Sequence, residues 1–399
     1  MARVDKVKRV MLVCPTFYPE NSGYANAFLN FVRCLQNQCH DFDLTVITFR
    51  QLGGHPELSF GRSEIIRLKP LIKNDKIGYF LNRFLFARFV NRKLQETHFD
   101  LVFIETIQEA FFLAALKEKF FKKILVRIHA TTETESFVFF NKYIYRINLL
   151  LIRHWVMPKL KFISSTNSYH IDFLKHHFLG NNVFEIASKK FFVIPNTILD
   201  QDVIKQEPNK VDGPLKFLLL GRLSTEGFLQ KGIEDFVDAC ILLGKDYLRG
   251  KVDVVIVGEG AKRGLLEEKI SSNGFDKIVR VIPSLSHGEV IRHLKEGDVV
   301  VLPSRFEGLS MFALEAIAMN NAVIFSRTGG LVDLVGGNGF TFAVQDIEDL
   351  ASCIRRLVGL DPDQILVLKG NSGELFRREF SEPIVGKKFR IVFNIITQM

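Results

Sequence analysis

Cysteine is scarce in this 399-residue chain, and no two of its five cysteines form a C-x-x-C pair. Cys14, Cys34, Cys39, Cys240 and Cys353 are scattered and odd in number, which argues against zinc, haem or dithiol chemistry and fits a reducing, cytoplasmic compartment. Long apolar runs are also missing. Despite 38 phenylalanines, none approaches the ~18 residues of a membrane span, so no transmembrane helix is expected. The opening MARVDKVKRVMLVCP is basic, then apolar for only about six residues, with no small-x-small cleavage site, and reads as a first strand. There is no G-x-G-x-x-G fingerprint, which disfavours a dinucleotide site of the dehydrogenase kind. No His/Cys/Asp/Glu grouping has metal-ligand spacing, and no repeat or low-complexity tract is present. Asp41-Phe42-Asp43 has the letters of a D-x-D metal motif, but it precedes the strand LTVITF at its amino end and reads as a solvated strand entrance. A charged fraction of 24% with a mean hydropathy of +0.13 excludes disorder.

Acidic residues are in deficit in one half only. Residues 1–200 carry 28 Lys+Arg against 17 Asp+Glu (+11), and residues 201–399 carry 25 against 27 (−2), which together give the net +9. The asymmetry suggests an N-terminal half that faces something anionic. Apolar runs alternate with stretches of helical period throughout, as in VKRVMLVCP, DLTVITF, FDLVFIET and KKILVRIHA, and again from PLKFLLLGRL onward. This is the pattern of parallel sheets wrapped by helices, so ligands belong beyond the carboxyl ends of the strands, after Val13, Ile104 and Ile128. The polar stretch at 200–214 reads as a linker. The expected domains are 1–199, 215–379, and a closing helix at about 380–399.

Three constellations could carry chemistry. In residues 297–335 a strand ends at Pro303, a loop holds Glu307 and Gly308, and a helix beginning near Ser310 carries Glu315. Two carboxylates therefore flank a helix mouth whose free N–H groups can seat a phosphate. In GRLSTEGFLQKG, Arg222 directly follows a strand and Lys231 sits just ahead of a helix, so both cations could neutralise one diphosphate without a metal. In the first half, Gly23 stands at a helix entrance, and His129 follows the strand KILVRI ahead of the polar stretch 130–136.

Taken in order, these segments resemble the retaining GT-B glycosyltransferases of family 4. The resemblance spans nearly the whole chain: YPENSG, RIHA, Ile194-Pro195-Asn196, GRL and KG, VGEG at 257–260, the E-x7-E pair Glu307 and Glu315, Thr328-Gly329-Gly330, and Phe380-Ser381 before the closing helix. The resemblance implies an α/β GT-B fold, with two Rossmann-like domains whose parallel sheets face across a cleft and a C-terminal helix returning to the N-terminal domain. It also implies sugar transfer from a nucleotide diphosphate donor, a UDP-sugar favoured, to a glycan or lipid-linked acceptor, with no cofactor and no metal. The N-terminal domain would take the acceptor and the C-terminal domain the donor.

By the same resemblance, Arg222 and Lys231 hold the diphosphate and Gly23 meets the distal phosphate. Glu307 grips sugar hydroxyls, the backbone of Gly308, Leu309, Ser310 and Met311 lies beside the sugar and phosphate, and Glu315 takes the ribose. His129 touches the transferred sugar, and the base lies near Ile282. Three features depart from the common pattern. Arg222 and Lys231 are nine apart, the first loop offers one glycine, and Asp333 stands where Glu is frequent.

Residues 62–93 hold nine Lys+Arg against two acids, interleaved with Tyr79, Phe80, Phe84, Phe86 and Phe89. With FFNKYIYRINLLLIRHWVMPKLK at 139–161, they read as a peripheral platform on the cytoplasmic face of an anionic membrane, or else as core-packing helices with snorkelling cations. Polysaccharide or lipopolysaccharide assembly is the pathway expected. The competing readings are a nucleotide-sugar epimerase of the same fold and a non-enzymatic protein that binds through its basic surface. A nucleic-acid partner is not expected, since it leaves Arg222, Lys231, Glu307 and Glu315 without a role.

Overall fold

Short runs such as VMLV, LVFI and VVVL are apolar on both faces, which suits strands covered by helices on each side. In the computed structural model they assemble into two parallel sheets. The structure describes residues 7–15, 17, 23–49, 63–70, 76–106, 109–129, 142–179, 186–199, 201 and 207–398. By contacts the chain divides into one unit of Met1–Leu199 with Glu382–Met399 and another of Asp200–Ser381.

The first unit has strands β1 (Lys8–Val13), β2 (Phe42–Phe49), β3 (Glu64–Leu68), β4 (Leu101–Ile104), β5 (Ile124–Ile128), β6 (Phe162–Ser165) and β7 (Lys190–Val193), in the order β3-β2-β1-β4-β5-β6-β7. Its register runs from Lys8 opposite Phe42 to Val13 opposite Ile47. Helices α1 (Gly23–Gln38), α2 (Lys76–Glu96), α3 (Ala110–Ala114), α4 (Lys142–Leu151) and α5 (Ser168–Phe173) link the strands. One face of the sheet packs on Phe86, Val90 and Phe112, with Ile152 and Val156 beyond α4, and the other on Phe28, Phe31 and Val32 of α1.

The second unit has strands β8 (Leu215–Leu220), β9 (Val252–Val257), β10 (Val279–Ile282), β11 (Val299–Leu302), β12 (Ala322–Ser326) and β13 (Gly339–Phe342), in the order β10-β9-β8-β11-β12-β13. Its helices are α6 (Thr225–Lys231), α7 (Ile233–Leu243), α8 (Lys245–Leu248), α9 (Arg263–Ser272), α10 (His287–Glu296), α11 (Met311–Ala318), α12 (Ile347–Val358) and α13 (Pro362–Glu379). Lys369 of α13 reaches into this core and pairs with Asp298 at 2.7 Å, both side chains being buried.

After α13 the chain rejoins the first unit as α14 (Glu382–Thr397), which lays Val385, Phe389, Val392 and Phe393 against Phe31, Phe42 and Phe103. The Phe42 and Phe393 rings lie 4.7 Å apart, and a Cβ on Gly386 would crowd Gln38. Arg390 holds Asp41 at 2.7 Å, and Lys8 approaches the same carboxylate at 3.0 Å. Asp41 is therefore not simply solvated at a strand entrance, because it anchors the returning helix. Asp43 pairs with Arg9 at 3.8 Å. None of the five cysteines forms a disulfide, and all are buried.

Candidate functional site

Each sheet reverses its strand order once, between β1 and β4 in the first unit and between β8 and β11 in the second. Ligands of open α/β sheets bind beyond the carboxyl ends of the strands at that reversal. The candidate residues gather at both points.

In the second unit, β8 leads directly to Gly221 and the exposed Arg222, and β11 leads to the loop holding Glu307. Lys231 and Glu307, 76 positions apart in sequence, meet at 2.7 Å with both side chains mostly buried. Lys231 stands just ahead of the helix over IEDFVDACILL, as the sequence suggested. It ends the short helix α6, which is capped by Ser224, and Gly232 in the left-handed region (φ 59°) turns the chain into α7. The nine-residue spacing is thereby taken up by two helical turns. Arg222 donates to Gln230 at 3.4 Å, one residue before Lys231.

The Glu307 loop is tied down on three sides. Arg305 binds Asp235 of α7 at 2.9 Å, and its backbone N–H donates to the Gln230 carbonyl at 2.8 Å. Gly232 lies so close to the Pro303 carbonyl that a Cβ there would collide with it. The Thr328-Gly329-Gly330 turn backs the loop, with the Gly330 N–H donating to Gly308 at 2.7 Å. The VGEG segment plays the same part for GRL, since Leu223 N–H donates to Glu259 at 2.9 Å and a Cβ on Gly258 would strike the Gly221 carbonyl.

Ser310 caps α11 by accepting from Ala313 N–H at 3.3 Å, Leu309 is buried, and Met311 opens the helix. Glu315, one turn in, is held at 2.9 Å by the exposed imidazole of His287 on α10. Ile282 is the last residue of β10 and its carbonyl accepts from Gly258 N–H at 3.0 Å. The second unit thus brings Lys231 and Glu307 into contact, and places Arg222 and Glu315 on the elements that flank them.

In the first unit, Gly23 is the first residue of α1, and a Cβ there would meet nothing within 4 Å, so packing among the described residues does not explain the glycine. Most of the YPENSG loop and the stretch 130–136 lie outside the described residues, as do 202–206 of the linker. His129 follows β5 and binds the buried carboxylate of Glu105, which itself follows β4. Burial pushes the His129 imidazole below its ordinary pKa, against the pull of Glu105. Arg127 lies beneath, 3.3 Å from Glu105 and fully buried. Tyr24 of α1 sets its ring edge-on to His129 at 5.0 Å and donates its hydroxyl to the Glu105 carbonyl at 3.1 Å.

The sequence reading missed Glu105, Arg127, Arg305 and His287. A signal existed for two of them: Arg127 interrupts an otherwise apolar buried strand, and Glu105 heads one of the loops expected to matter.

The basic, aromatic stretch divides between core and surface. Phe86 is buried and Phe80 packs on Phe111 at 4.5 Å, whereas Phe84 on α2 and Leu150 and Trp155 around α4 are exposed. No helix among the described residues is long and apolar enough to cross a membrane.

Solved structures match nearly the whole chain. The lipopolysaccharide outer core galactosyltransferase WaaB superposes with a TM-score of 0.71 over 98% of this chain and 100% of that one at 18% identity. HepE of Anabaena, solved in complex with UDP, gives 0.66 over 97% and 100% at 14% identity. At this identity the likeness establishes the fold, which is the two-unit GT-B architecture of glycosyltransferases.

Residues 214–359 match the family model described as Glycosyl transferases group 1. Among curated relatives the chain is similar to the glycogen synthase of Mycobacterium tuberculosis, at 30% identity over 148 residues. That match spans 37% of this chain and 34% of the relative, so the chain covers about a third of the relative's length.

Proposed function

We propose that the protein is a retaining, metal-independent glycosyltransferase that moves a sugar from a nucleotide diphosphate donor, a UDP-sugar, to a hydroxyl of a glycan or lipid-linked acceptor. The observation that carries this reading is the Lys231–Glu307 contact at 2.7 Å beside the mouth of α11, where a cation for the diphosphate and a carboxylate for sugar hydroxyls share one site. Arg222, Lys231 and the free N–H groups of α11 compensate the charge that builds on the departing diphosphate as the anomeric carbon becomes cationic. Glu307 and His129 hold the sugar, Glu315 the ribose, and Gly23 lets the backbone of α1 approach the distal phosphate. The acceptor hydroxyl enters on the face the diphosphate leaves and gives its proton to a phosphate oxygen, which preserves the anomeric configuration.

The crystallised complex of HepE with UDP supports the choice of base, and the name of WaaB supports lipopolysaccharide or related polysaccharide assembly. Exposed Phe84, Leu150 and Trp155, together with exposed Arg88, Arg92 and Arg153, support contact of the first unit with an anionic membrane surface.

A thermal-shift screen of UDP-, GDP- and ADP-sugars, followed by product analysis by NMR, tests the reading. A UDP-sugar is expected to raise the melting temperature, and transfer is expected to yield a product with the donor's anomeric configuration. An epimerised, still nucleotide-linked sugar, or no response to any donor, overturns it.

A further inference from the structure

The first unit buries a charge arrangement that stability alone does not explain. Arg127 and Glu105 have no exposed side-chain surface, and their closest approach is 3.3 Å between Nη1 and Oε1. Among the described residues, Arg127 Nε and Glu105 Oε2 lack hydrogen-bond partners. Burying two charges is costly, and an incompletely satisfied pair is commonly no better than an apolar replacement. Yet this guanidinium is carefully held, with Nη2 donating to Asn196 Oδ1 at 2.9 Å and its plane 4.8 Å from the Phe31 ring centroid.

What the pair touches is His129. Its Nε2 binds Glu105 Oε1, the same oxygen that Arg127 approaches. A lone buried carboxylate beside an imidazole favours imidazolium. Here the permanent charge of Arg127 has already compensated Glu105, so the imidazole can stay neutral while it donates Nε2–H. Its Nδ1 is then an unprotonated acceptor on a ring whose side chain keeps a small exposed area, 13%. Polar groups at hand among the described residues include the Tyr24 hydroxyl of α1, which burial keeps protonated, and, 3.7 Å from it, the thiol of Cys14, which follows β1.

From this geometry we propose that Arg127 is a positioning residue: acting through Glu105, it holds His129 as a neutral, Nε2-protonated imidazole whose Nδ1 accepts a hydrogen bond from a hydroxyl of the transferred sugar. The sugar contact rests on the function proposed above; the tautomer and its dependence on Arg127 do not.

The test is imidazole NMR of the full chain labelled with 15N-histidine, with the His129 signal identified by His129→Gln. Free wild-type protein at pH 7 is expected to show a neutral Nε2–H ring. Arg127→Met leaves Glu105 uncompensated and should raise the titration midpoint by about one pH unit or more. Arg127→Lys keeps the charge and should leave the midpoint near wild type. Should Arg127→Met fail to fold, Glu105→Met/Arg127→Met removes both charges and is expected to fold with His129 in mixed tautomers. An imidazolium or an Nδ1–H ring in the wild type overturns the proposal. So does an unmoved midpoint in folded Arg127→Met, or a fixed Nε2–H ring in the double variant.

In turnover, the acid limb of the pH–rate profile is expected to shift upward with the midpoint in Arg127→Met. A limb that stays put while the midpoint moves overturns the link to the sugar. Absence of turnover with every nucleotide sugar would instead count against the glycosyltransferase reading, because the NMR result needs no donor.

Discussion

Replacing Lys231 should weaken UDP binding and replacing Glu307 should not, although the two side chains form one ion pair. The Lys231 ammonium is engaged by Glu307 at 2.7 Å, so a diphosphate would have to compete for it with a carboxylate. In the proposed site, Lys231→Met would remove a charge-assisted hydrogen bond to the phosphates, worth roughly 1.5–3 kcal/mol, or about 10- to 150-fold in Kd. Glu307→Gln removes both the competitor and a neighbouring negative charge, so UDP should bind equally well or up to about tenfold tighter. UDP carries no sugar, so the hydroxyl contacts proposed for Glu307 do not enter this measurement. In transfer, by contrast, both variants should lose on the order of 10² to 10³ in kcat, the usual effect of removing one group that stabilises the transition state. Isothermal titration of UDP into the full chain, paired with initial rates, checks both halves. If Glu307→Gln weakens UDP as much as Lys231→Met does, the carboxylate does not compete for the ammonium and the proposed division of roles is wrong.

The buried Lys369–Asp298 pair supports a stability prediction: Lys369→Met strands a carboxylate in the core of the second unit and should cost about 3–5 kcal/mol, read as a depressed melting temperature. Gly232→Ala places a side chain at φ 59° against the Pro303 carbonyl, so it should lower the melting temperature and UDP affinity together, whereas Gly244→Ala, also at positive φ but with open space around it, should leave UDP affinity intact. Glu315→Ala should raise KM for the donor about tenfold with little change in kcat, while His287→Ala, on the exposed side of that contact, should leave stability within about 0.5 kcal/mol of wild type by thermal melt. Because burial holds the His129 pKa below that of an unfolded histidine, the unfolded chain takes up a proton first on acidification. The His129 contribution to stability should therefore be complete above about pH 6.5 and decline below it, and His129→Gln should flatten that part of the melting temperature–pH curve.

The sheets were legible because buried parallel strands announce themselves: VMLV, LVFI and VVVL have no other stable use at that length. The Glu307-to-Glu315 segment was legible for a similar reason, with strand, loop and helix following one another in sequence. What stayed hidden depends on distance along the chain. Lys231 and Glu307 are 76 positions apart, and Arg305 and Asp235 are 70 apart, so no local pattern pairs them. The short helix ending at Lys231 was hidden by Gly227, a weak helix former tolerated because a Cβ there would collide with Arg222. The basic residues of α2 were equally ambiguous, since Phe84 faces outward while Phe86, two positions on, lies in the core.

Because α14 completes the core of the first unit from the far end of the chain, that unit must wait on the ribosome for its own last piece. Its sheet emerges first, but the Phe31–Phe42–Phe103 surface stays bare until Glu382–Thr397 is synthesised, after every residue of the second unit has been made. A premature stop anywhere in the second half therefore leaves an exposed apolar face on the first, and a frameshift more than three hundred positions away from Gly23 can still send its helix to the proteases.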